Sequence, residues 1–303
     1  MLANKELINR LESKIIHYVL NFDLFGKYLI WVRSILAAGL LGTLIFSSAE
    51  HLFVVVNGKI SNTIRFNNLE NLNLIEILFN YGIELFYIKI ILILLLLLII
   101  SGYFPKITSI LHFWIASSFF SGATFVDGGD QIHQNLSLLL VPICFLDKRH
   151  NQWEENKNIS SSNKIFGIAA IFLIKLQMSI IYLHAAFGKT SIKEWTDGTA
   201  MYYWINNTFF GAPSYLSEFT FIIFSNPIIC TFVTHLVIVT EFIFAASIFS
   251  NNRSLKKLLF IIAVLFHLNI ILIHGIFSFF FSMFAGLIIY FKSFAKNVKV
   301  ESI

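Results

Sequence analysis

The chain has 303 residues, of which 57% are hydrophobic and only 13% are charged, and its formal net charge is +5. So few polar residues cannot cover the surface of a soluble protein of this length, which excludes a large soluble helical protein. The basic residues form no patch interleaved with aromatic side chains in a polar segment, so we expect no nucleic-acid partner.

The first 27 residues predict an amphipathic helix on the cytoplasmic membrane surface and not a cleavable signal peptide. Lys5, Glu12 and Asp23 are among the charged residues that interrupt any hydrophobic core there, and no small-residue cleavage site follows. Apolar residues fall on one side of such a helix: Leu7, Ile8, Leu11, Ile15 and Val19. This pattern is typical of helices that lie in the membrane interface.

Eight apolar runs follow, and they predict an all-α fold, a polytopic transmembrane helical bundle of about eight spans. The predicted spans are 28–46, 85–101, 107–125, 132–146, 165–187, 227–249, 257–274 and 276–291. A bilayer crossing needs about 20 apolar residues, so the fourth span is short. The last two spans predict a tight hairpin at His274–Gly275. One transmembrane domain therefore covers 28–292, and 293–303 is a cytoplasmic tail.

The distribution of lysine and arginine predicts that both termini lie in the cytoplasm. Fifteen basic residues flank the spans on the face that carries the termini, and four (Lys59, Arg65, Lys189 and Lys193) lie on the opposite face. Cytoplasmic loops carry such an excess of positive charge. We therefore expect a multi-pass protein of the bacterial cell membrane, with 127–130, 189–197 and His274 on the outer side.

Two outer segments are more than simple turns. The polar stretch 57–80 predicts a short helix near 72–81, and the stretch 202–224 is too aromatic to be surrounded by water. We interpret 202–224 as a re-entrant or interfacial segment over the mouth of the bundle. Trp195, Tyr203 and Trp204 suit the aromatic belt at a membrane interface.

The motif Asp127-Gly-Gly-Asp130-Gln-Ile-His133 precedes the short fourth span. Asp130 is placed to cap the helix by accepting a backbone N–H. Asp130 and His133, three residues apart, are alternatively an acid–base pair or two ligands of a metal. Two ligands do not define a metal centre, so no metal site is predicted.

The stretch from Ile181 to Trp204 opens from an apolar run into a polar loop, which is where binding or chemistry is expected in a membrane protein. Lys189 is either a lysine that caps its helix and reaches for the interface, or a partly desolvated base. The predicted catalytic set is Lys189, Asp127, Asp130, His133 and His184. The predicted substrate-binding set is Trp195, Asp197, Tyr203, Trp204 and His274.

Several polar residues lie within the spans and are expected to stabilise the bundle: Arg33, Lys175, Glu241 and His267. A charge at mid-depth costs roughly 2.5–3.5 kcal/mol on insertion scales, so it needs a partner. Lys175 and Glu241 are predicted to pair between the fifth and sixth spans. Arg33 and Lys89 are placed near cytoplasmic ends, where reaching for the interface suffices. His267 and His274, seven residues apart, share a helix face.

These stretches resemble a known family. The pattern IYLHAAFGK…EW.DGTAMYY, the late segment FHLNIILIHGIFSFFFSMFAGLIIYF and Arg33 are similar to the HTTM superfamily, which includes the vitamin K-dependent gamma-carboxylases. The block DGGDQIHQNLSLLLVPICFLDKRHNQW is closer to a bacterial branch, the sporulation-delaying protein B (SdpB) family.

The resemblance implies a role in producing and maturing a secreted antimicrobial peptide. It implies a small SdpA-like partner protein and a peptide-toxin precursor as partners, within membrane lipid. The carboxylase branch implies Lys189 as a base toward a reduced quinone, on the extracytoplasmic side. Here Gly188–Lys189 replaces a lysine pair, and no large extramembrane domain is present. A quinone-linked carboxylase or oxidoreductase and a non-catalytic scaffold for a precursor are the alternatives.

Overall fold

The computed structural model describes residues 22, 24–61, 72–155, 161–208 and 210–293, without the side chains of 161–163. Most of the segment predicted as an N-terminal amphipathic helix, and nearly all of the predicted tail, lie outside these residues.

The described chain is helical almost throughout, as the all-α prediction requires. Its helices are α1 (Tyr28–Phe46), α2 (Ala49–Leu52), α3 (Leu74–Asn80), α4 (Leu85–Ile100), α5 (Pro105–Gly122), α6 (Gly128–Leu146), α7 (Ser161–Thr190), α8 (Lys193–Thr196), α9 (Ala200–Ile205), α10 (Ser214–Phe224), α11 (Pro227–Ala246), α12 (Arg253–His274) and α13 (Phe277–Phe291). A 3-10 turn, Ser247–Phe249, extends α11. A small antiparallel hairpin, β1 (Val55–Val56) and β2 (Lys59–Ile60), follows α2.

Four helical segments in the described residues are long and apolar enough to cross a membrane: Tyr28–Phe46, Lys164–Thr190, Pro227–Phe249 and Arg253–His274. The helices α4 and α13 are apolar but shorter. The helices α5 and α6 have the length, but their serine, histidine, asparagine and aspartate side chains reduce the mean hydropathy. Length and composition therefore identify four spans, and the predicted number of about eight remains a prediction.

The fourth predicted span begins earlier than its apolar run suggests. Helix α6 starts at Gly128 and has 19 residues. Its N-cap is Asp127, whose side chain accepts the backbone N–H groups of Gly129 and Asp130, while Asp130 accepts the N–H of Asp127. Asp130 therefore caps the helix start by accepting a backbone N–H, as predicted, but the N-cap position itself belongs to Asp127, and the two aspartates form a reciprocal capping box.

Helix α13 lies at the centre of the bundle, in contact with α1, α6, α7 and α12. Glycines allow this close approach. A Cβ on Gly39 would lie 2.7 Å from the Phe281 Cβ atom, and a Cβ on Gly129 would lie 2.3 Å from the Phe279 Cα atom. Small residues at helix contacts are the usual means of tight packing in membranes. The predicted hairpin before α13 is present, with Gly275 left-handed at φ 68°.

We call the end of the bundle that carries Tyr28 and Lys292 the inner end, and the opposite end the outer end, and side-chain contacts define both. At the inner end, Lys175 donates to the Lys292 carbonyl at 2.9 Å, and the Lys292 ammonium lies 4.6 Å from the Tyr28 ring centroid. At the outer end, Lys89 donates to the Ser47 carbonyl at 2.8 Å, beyond the last residue of α1. Lys89 was therefore placed at the wrong end, because α4 runs from the outer end inward.

The outer segments have the predicted local structure. Helix α3 occupies the position of the short helix expected near 72–81. The stretch 202–224 contains the end of α9 and the short apolar helix α10, which lies against α9 and α11. Its placement in a membrane interface remains a prediction.

Replacing Gly129 with Ala should disrupt the contact between α6 and α13, because the new methyl group would overlap backbone atoms of Phe279. Gly188→Ala is the matched control, since no heavy atom lies within 4 Å of a Cβ there and alanine favours a helix by roughly 1 kcal/mol over glycine. Thermal unfolding in detergent should show a loss of several degrees for Gly129→Ala and no loss for Gly188→Ala. Equal melting temperatures would contradict the close packing.

Candidate functional site

Lys189, near the end of α7, forms an ion pair with Glu241 of α11. Its ammonium nitrogen lies 2.7 Å from Oε1 and 2.8 Å from Oε2 of the carboxylate. Both side chains are largely buried, with 20% and 7% of their surface exposed. The predicted pairing of Glu241 with Lys175 was wrong. Lys175 and Lys189 are separated by about 21 Å of helix at 1.5 Å per residue, and Glu241 lies within reach of the second.

The pair lies well below the outer end of α7. The Lys189 side chain runs back along the helix, and its ammonium group reaches the level of the Ala185 carbonyl, 3.5 Å away. That level is about 15 Å along α7 from Lys175 at the inner end. A hydrocarbon core is about 30 Å thick. The ion pair is therefore near the middle of the bundle, and Lys189 does not reach for the outer interface.

Trp195 covers the lysine from the outer side. The Lys189 ammonium lies 5.1 Å from its ring centroid, a favourable cation–π distance. Trp195 is buried in a small apolar cluster with Ala200 and Ile238. By contrast, Asp197, two residues later, is exposed. Of these two predicted binding residues, only Trp195 contacts the pair.

His184 does not belong to this site. Its side chain is exposed on α7, five residues before Lys189. Five residues correspond to about 500° around a helix, which directs the two side chains to different faces. The predicted catalytic role of His184 at the lysine therefore has no geometric support.

Three of the predicted substrate-binding residues lie at the outer rim. Trp204 and His274 have ring centroids 6.1 Å apart, and His274 Nδ1 forms a hydrogen bond with the Phe210 carbonyl. Tyr203, next to Trp204, is exposed. The rim thus joins α9 to the end of α12, although these residues are distant in the chain.

The two aspartates of the capping box face α13. Ser278 donates a hydrogen bond of 2.6 Å to Asp127 Oδ2. Asp130, which precedes the predicted crossing that starts at 132, is buried. Asp127 thus connects α6 to α13.

His133 contacts another buried histidine, His112 of α5. Their Nε2 atoms are 2.8 Å apart, so one ring donates and the other accepts. The predicted partnership of Asp130 and His133 remains a prediction. The composition of the spans did not single out His112, although it lies in the polar stripe of α5.

Arg33 is completely buried and does not reach for the interface, which contradicts its prediction. It donates to Gln152 Oε1 at 2.5 Å and to Thr108 Oγ1 at 2.8 Å. Gln152 in turn donates to Asp147 at 3.1 Å, and Asp147 forms an ion pair with Arg149 at 2.7 Å. The segment after α6 therefore folds back into the inner end and provides the partners that a buried cation needs.

The predicted catalytic residues form two groups. Among the described residues, no hydrogen bond or ion pair joins Lys189 to Asp127, Asp130 or His133. Phe279 has its backbone against Gly129, and its ring is stacked on His267 at 5.9 Å. His267 is buried and hydrogen-bonded to the Ala263 carbonyl at 2.7 Å. The described part of the chain also contains no group of three or more histidine, cysteine or acidic residues that could hold a metal ion.

Comparison with known proteins gives one relative that spans nearly the whole chain. The sequence is 33% identical over 299 residues to a Bacillus subtilis (strain 168) protein, "Sporulation-delaying protein SdpB", covering 98% of this chain and 89% of that protein. The chain belongs to the SdpB family. A second B. subtilis relative, "Uncharacterized protein YitO", is 31% identical over 198 residues, covering 65% of this chain and 63% of the relative. No family model and no solved structure matches this chain.

Membership in the SdpB family and the apolar helices identify a membrane protein, and the family block DGGDQIH…DKRHNQW now has a structural explanation. Its first part builds the capping box and the His133 contact, and its last part supplies Asp147, Arg149 and Gln152. The conspicuous charges of this block therefore hold both ends of α6, and the ion pair at Lys189 lies elsewhere.

In this SdpB-family protein, Gln152→Leu should be strongly destabilising because it leaves the Arg33 guanidinium without its main acceptor. Removing one partner from a buried charged contact costs about 3–5 kcal/mol. The double variant Arg33→Met/Gln152→Leu should recover much of that loss, since no unpaired guanidinium remains and Asp147 keeps its ion pair with Arg149. The measurement is thermal unfolding in detergent. If the double variant loses as much melting temperature as Arg33→Met and Gln152→Leu lose in sum, the contact between the two residues is contradicted.

Proposed function

We propose that this protein is an integral membrane factor for the production of a secreted antimicrobial peptide of the sporulation-delaying type, and that it acts through the Lys189–Glu241 pair. Two findings support this proposal. The relative that spans the chain is named as a sporulation-delaying protein. The pair is an ionised, mostly buried contact between two helices that are long and apolar enough to cross a membrane.

The pair is suited to proton transfer. In low-dielectric surroundings, burial disfavours both charged groups, so the ion pair and the neutral amine–acid pair are closer in free energy than in water. A proton moving from Nζ to Oε over 2.7 Å leaves an uncharged amine beside Trp195. An amine of this kind is a base or nucleophile toward a substrate. Glu241 is thus the group that switches Lys189 between its resting and reactive forms.

The proposed placement is a multi-pass protein of the bacterial cell membrane with eight crossings and both termini in the cytoplasm. The excess of basic residues on one face supports this orientation. The Lys189–Glu241 pair and the rim of Trp204 and His274 are then reached from the outer side, where an exported peptide emerges. The proposed partners are the peptide precursor and a small SdpA-like protein.

The wider likeness to the HTTM superfamily gives a second candidate, a carboxylase-like or oxidoreductase-like reaction with a reduced quinone. The observation that favours it is the position of Lys189 at the matching motif. This candidate predicts that quinone-deficient cells lose peptide maturation while they retain folded protein.

Lys189→Met should abolish release of the antimicrobial peptide, because it removes the transferable proton and leaves Glu241 unpaired. The variant is expressed with the precursor and partner genes in a host that lacks its own copies, and peptide activity is measured in the medium. Lys193→Met is the matched control. Lys193 is an exposed lysine on α8, so its removal should leave release unchanged.

The double variant Lys189→Met/Glu241→Met separates chemistry from folding. With both charges removed, the protein should accumulate and melt at least as high as the single variant, yet it should release no peptide. Normal release from the double variant would show that the pair has only a structural role. That outcome would favour the third candidate, a scaffold that holds the precursor.

A further inference from the structure

Tyr182 occupies an unusual position below the Lys189–Glu241 pair. It lies seven residues before Lys189 on the same face of α7, and only 2% of its surface is exposed. Its ring contacts those of Phe244, His267 and Tyr290, with centroid distances of 5.1, 5.8 and 6.4 Å. Its hydroxyl group nevertheless has no hydrogen-bond partner among the described residues.

A buried hydroxyl without a partner is unfavourable for folding. Such groups are rare in native structures, and each needs an explanation. Phenylalanine would fill the same space without this cost. The hydroxyl of Tyr182 is therefore more easily explained by a function than by packing.

Polar groups continue from Tyr182 toward the inner end. Tyr290 donates to the Phe244 and Ala245 carbonyls at 2.7 and 3.1 Å. Ser247 and Ser179 donate to the same two carbonyls, at 2.7 and 2.9 Å. Three hydroxyl groups thus meet around the last turn of α11.

Two further contacts place this cluster between the ion pair and the inner face. Lys175, one turn before Ser179 on α7, donates to the Lys292 carbonyl at the inner end. On the other side, the Tyr182 ring lies 5.1 Å from that of Phe244, which follows Glu241 by three residues on the same face of α11. Tyr182 is therefore the polar group between the pair at mid-depth and the hydroxyl cluster below it.

We propose that the Tyr182 hydroxyl transfers protons between the Lys189–Glu241 pair and the inner face of the membrane, through Tyr290 and the serine hydroxyls beside it. This inference rests on the proposed function, because it describes how Lys189 loses its proton. Where two oxygens are too far apart for a direct hydrogen bond, one bridging water completes the path.

The transfer is balanced in protons and charge. Lys189 gives a proton to the Glu241 carboxylate, which yields an amine and a carboxylic acid. Glu241 passes that proton to the Tyr182 oxygen while the original Tyr182 proton moves to the Tyr290 oxygen. The Tyr290 proton moves through a neighbouring serine hydroxyl to water at the inner end. Lys189 is then a neutral amine, Glu241 is again a carboxylate, and no group is oxidised or reduced.

The test compares Tyr182→Phe with Tyr290→Phe, alone and together, by melting temperature in detergent and by peptide release from cells. Tyr182→Phe removes no hydrogen bond to another protein group, so its melting temperature should be unchanged or higher, whereas Tyr290→Phe should melt lower. Both should reduce peptide release at least about a hundredfold, the lower end of the range for a positioned proton-transfer group. The double variant should release no less peptide than the more impaired of the two single variants, because both residues serve one path.

The control is Tyr215→Phe, which removes an exposed hydroxyl on α10 and should change neither measurement. Normal release from Tyr182→Phe would overturn the proposal. Loss of release from Tyr182→Phe with full release from Tyr290→Phe would also overturn it, and would assign the hydroxyl to a direct contact with the substrate. Lys189→Met distinguishes this failure from failure of the proposed function: if that variant releases peptide normally, the function itself is wrong.

Discussion

A charge inside an apolar bundle must find a partner, and this constraint explains most of the structure. The helices bring only a few charges into their shared interior, and the folded chain provides each with a specific contact. Glu241 receives Lys189 from the opposite helix, and Arg33 receives Gln152 from a segment more than a hundred residues away. These contacts fix which helices are neighbours, since the surrounding apolar side chains alone do not select among partners of similar size.

The helices themselves could be predicted from the sequence, because an apolar run long enough to cross a bilayer must satisfy its own backbone hydrogen bonds, as a helix does. The hairpin at Gly275 and the short helix α3 also follow from local signals. The start of α6 did not follow from hydropathy, since its first turn is polar and its capping box becomes evident only when Asp127 and Asp130 are placed on one helix end. The number of crossings could not be established from apolar length, because α5 and α6 combine adequate length with many polar side chains.

The site was predictable in its residues but not in its pairs. Lys189, Glu241 and Trp195 were all chosen from their positions in the chain, yet Glu241 was matched with the wrong lysine. Sequence gives the order of residues along a helix, whereas pairing depends on how far one helix is displaced against another. Tyr182 and His112 were missed for a different reason. A tyrosine or histidine in an apolar run is common, and only burial and missing or specific contacts distinguish these two.

Because the Lys189 side chain runs back along α7 toward Ala185, the site depends on the length of this side chain. Four methylene groups span the gap from the last turn of α7 to the level of Ala185, and they place the nitrogen between both oxygens of Glu241. An arginine would present a larger planar guanidinium to Glu241, and a shorter amine would not reach the acid. The site is therefore selective for the length of a lysine side chain. A shift of α7 along α11 by a single residue, about 1.5 Å, would move the ammonium group away from the Glu241 carboxylate.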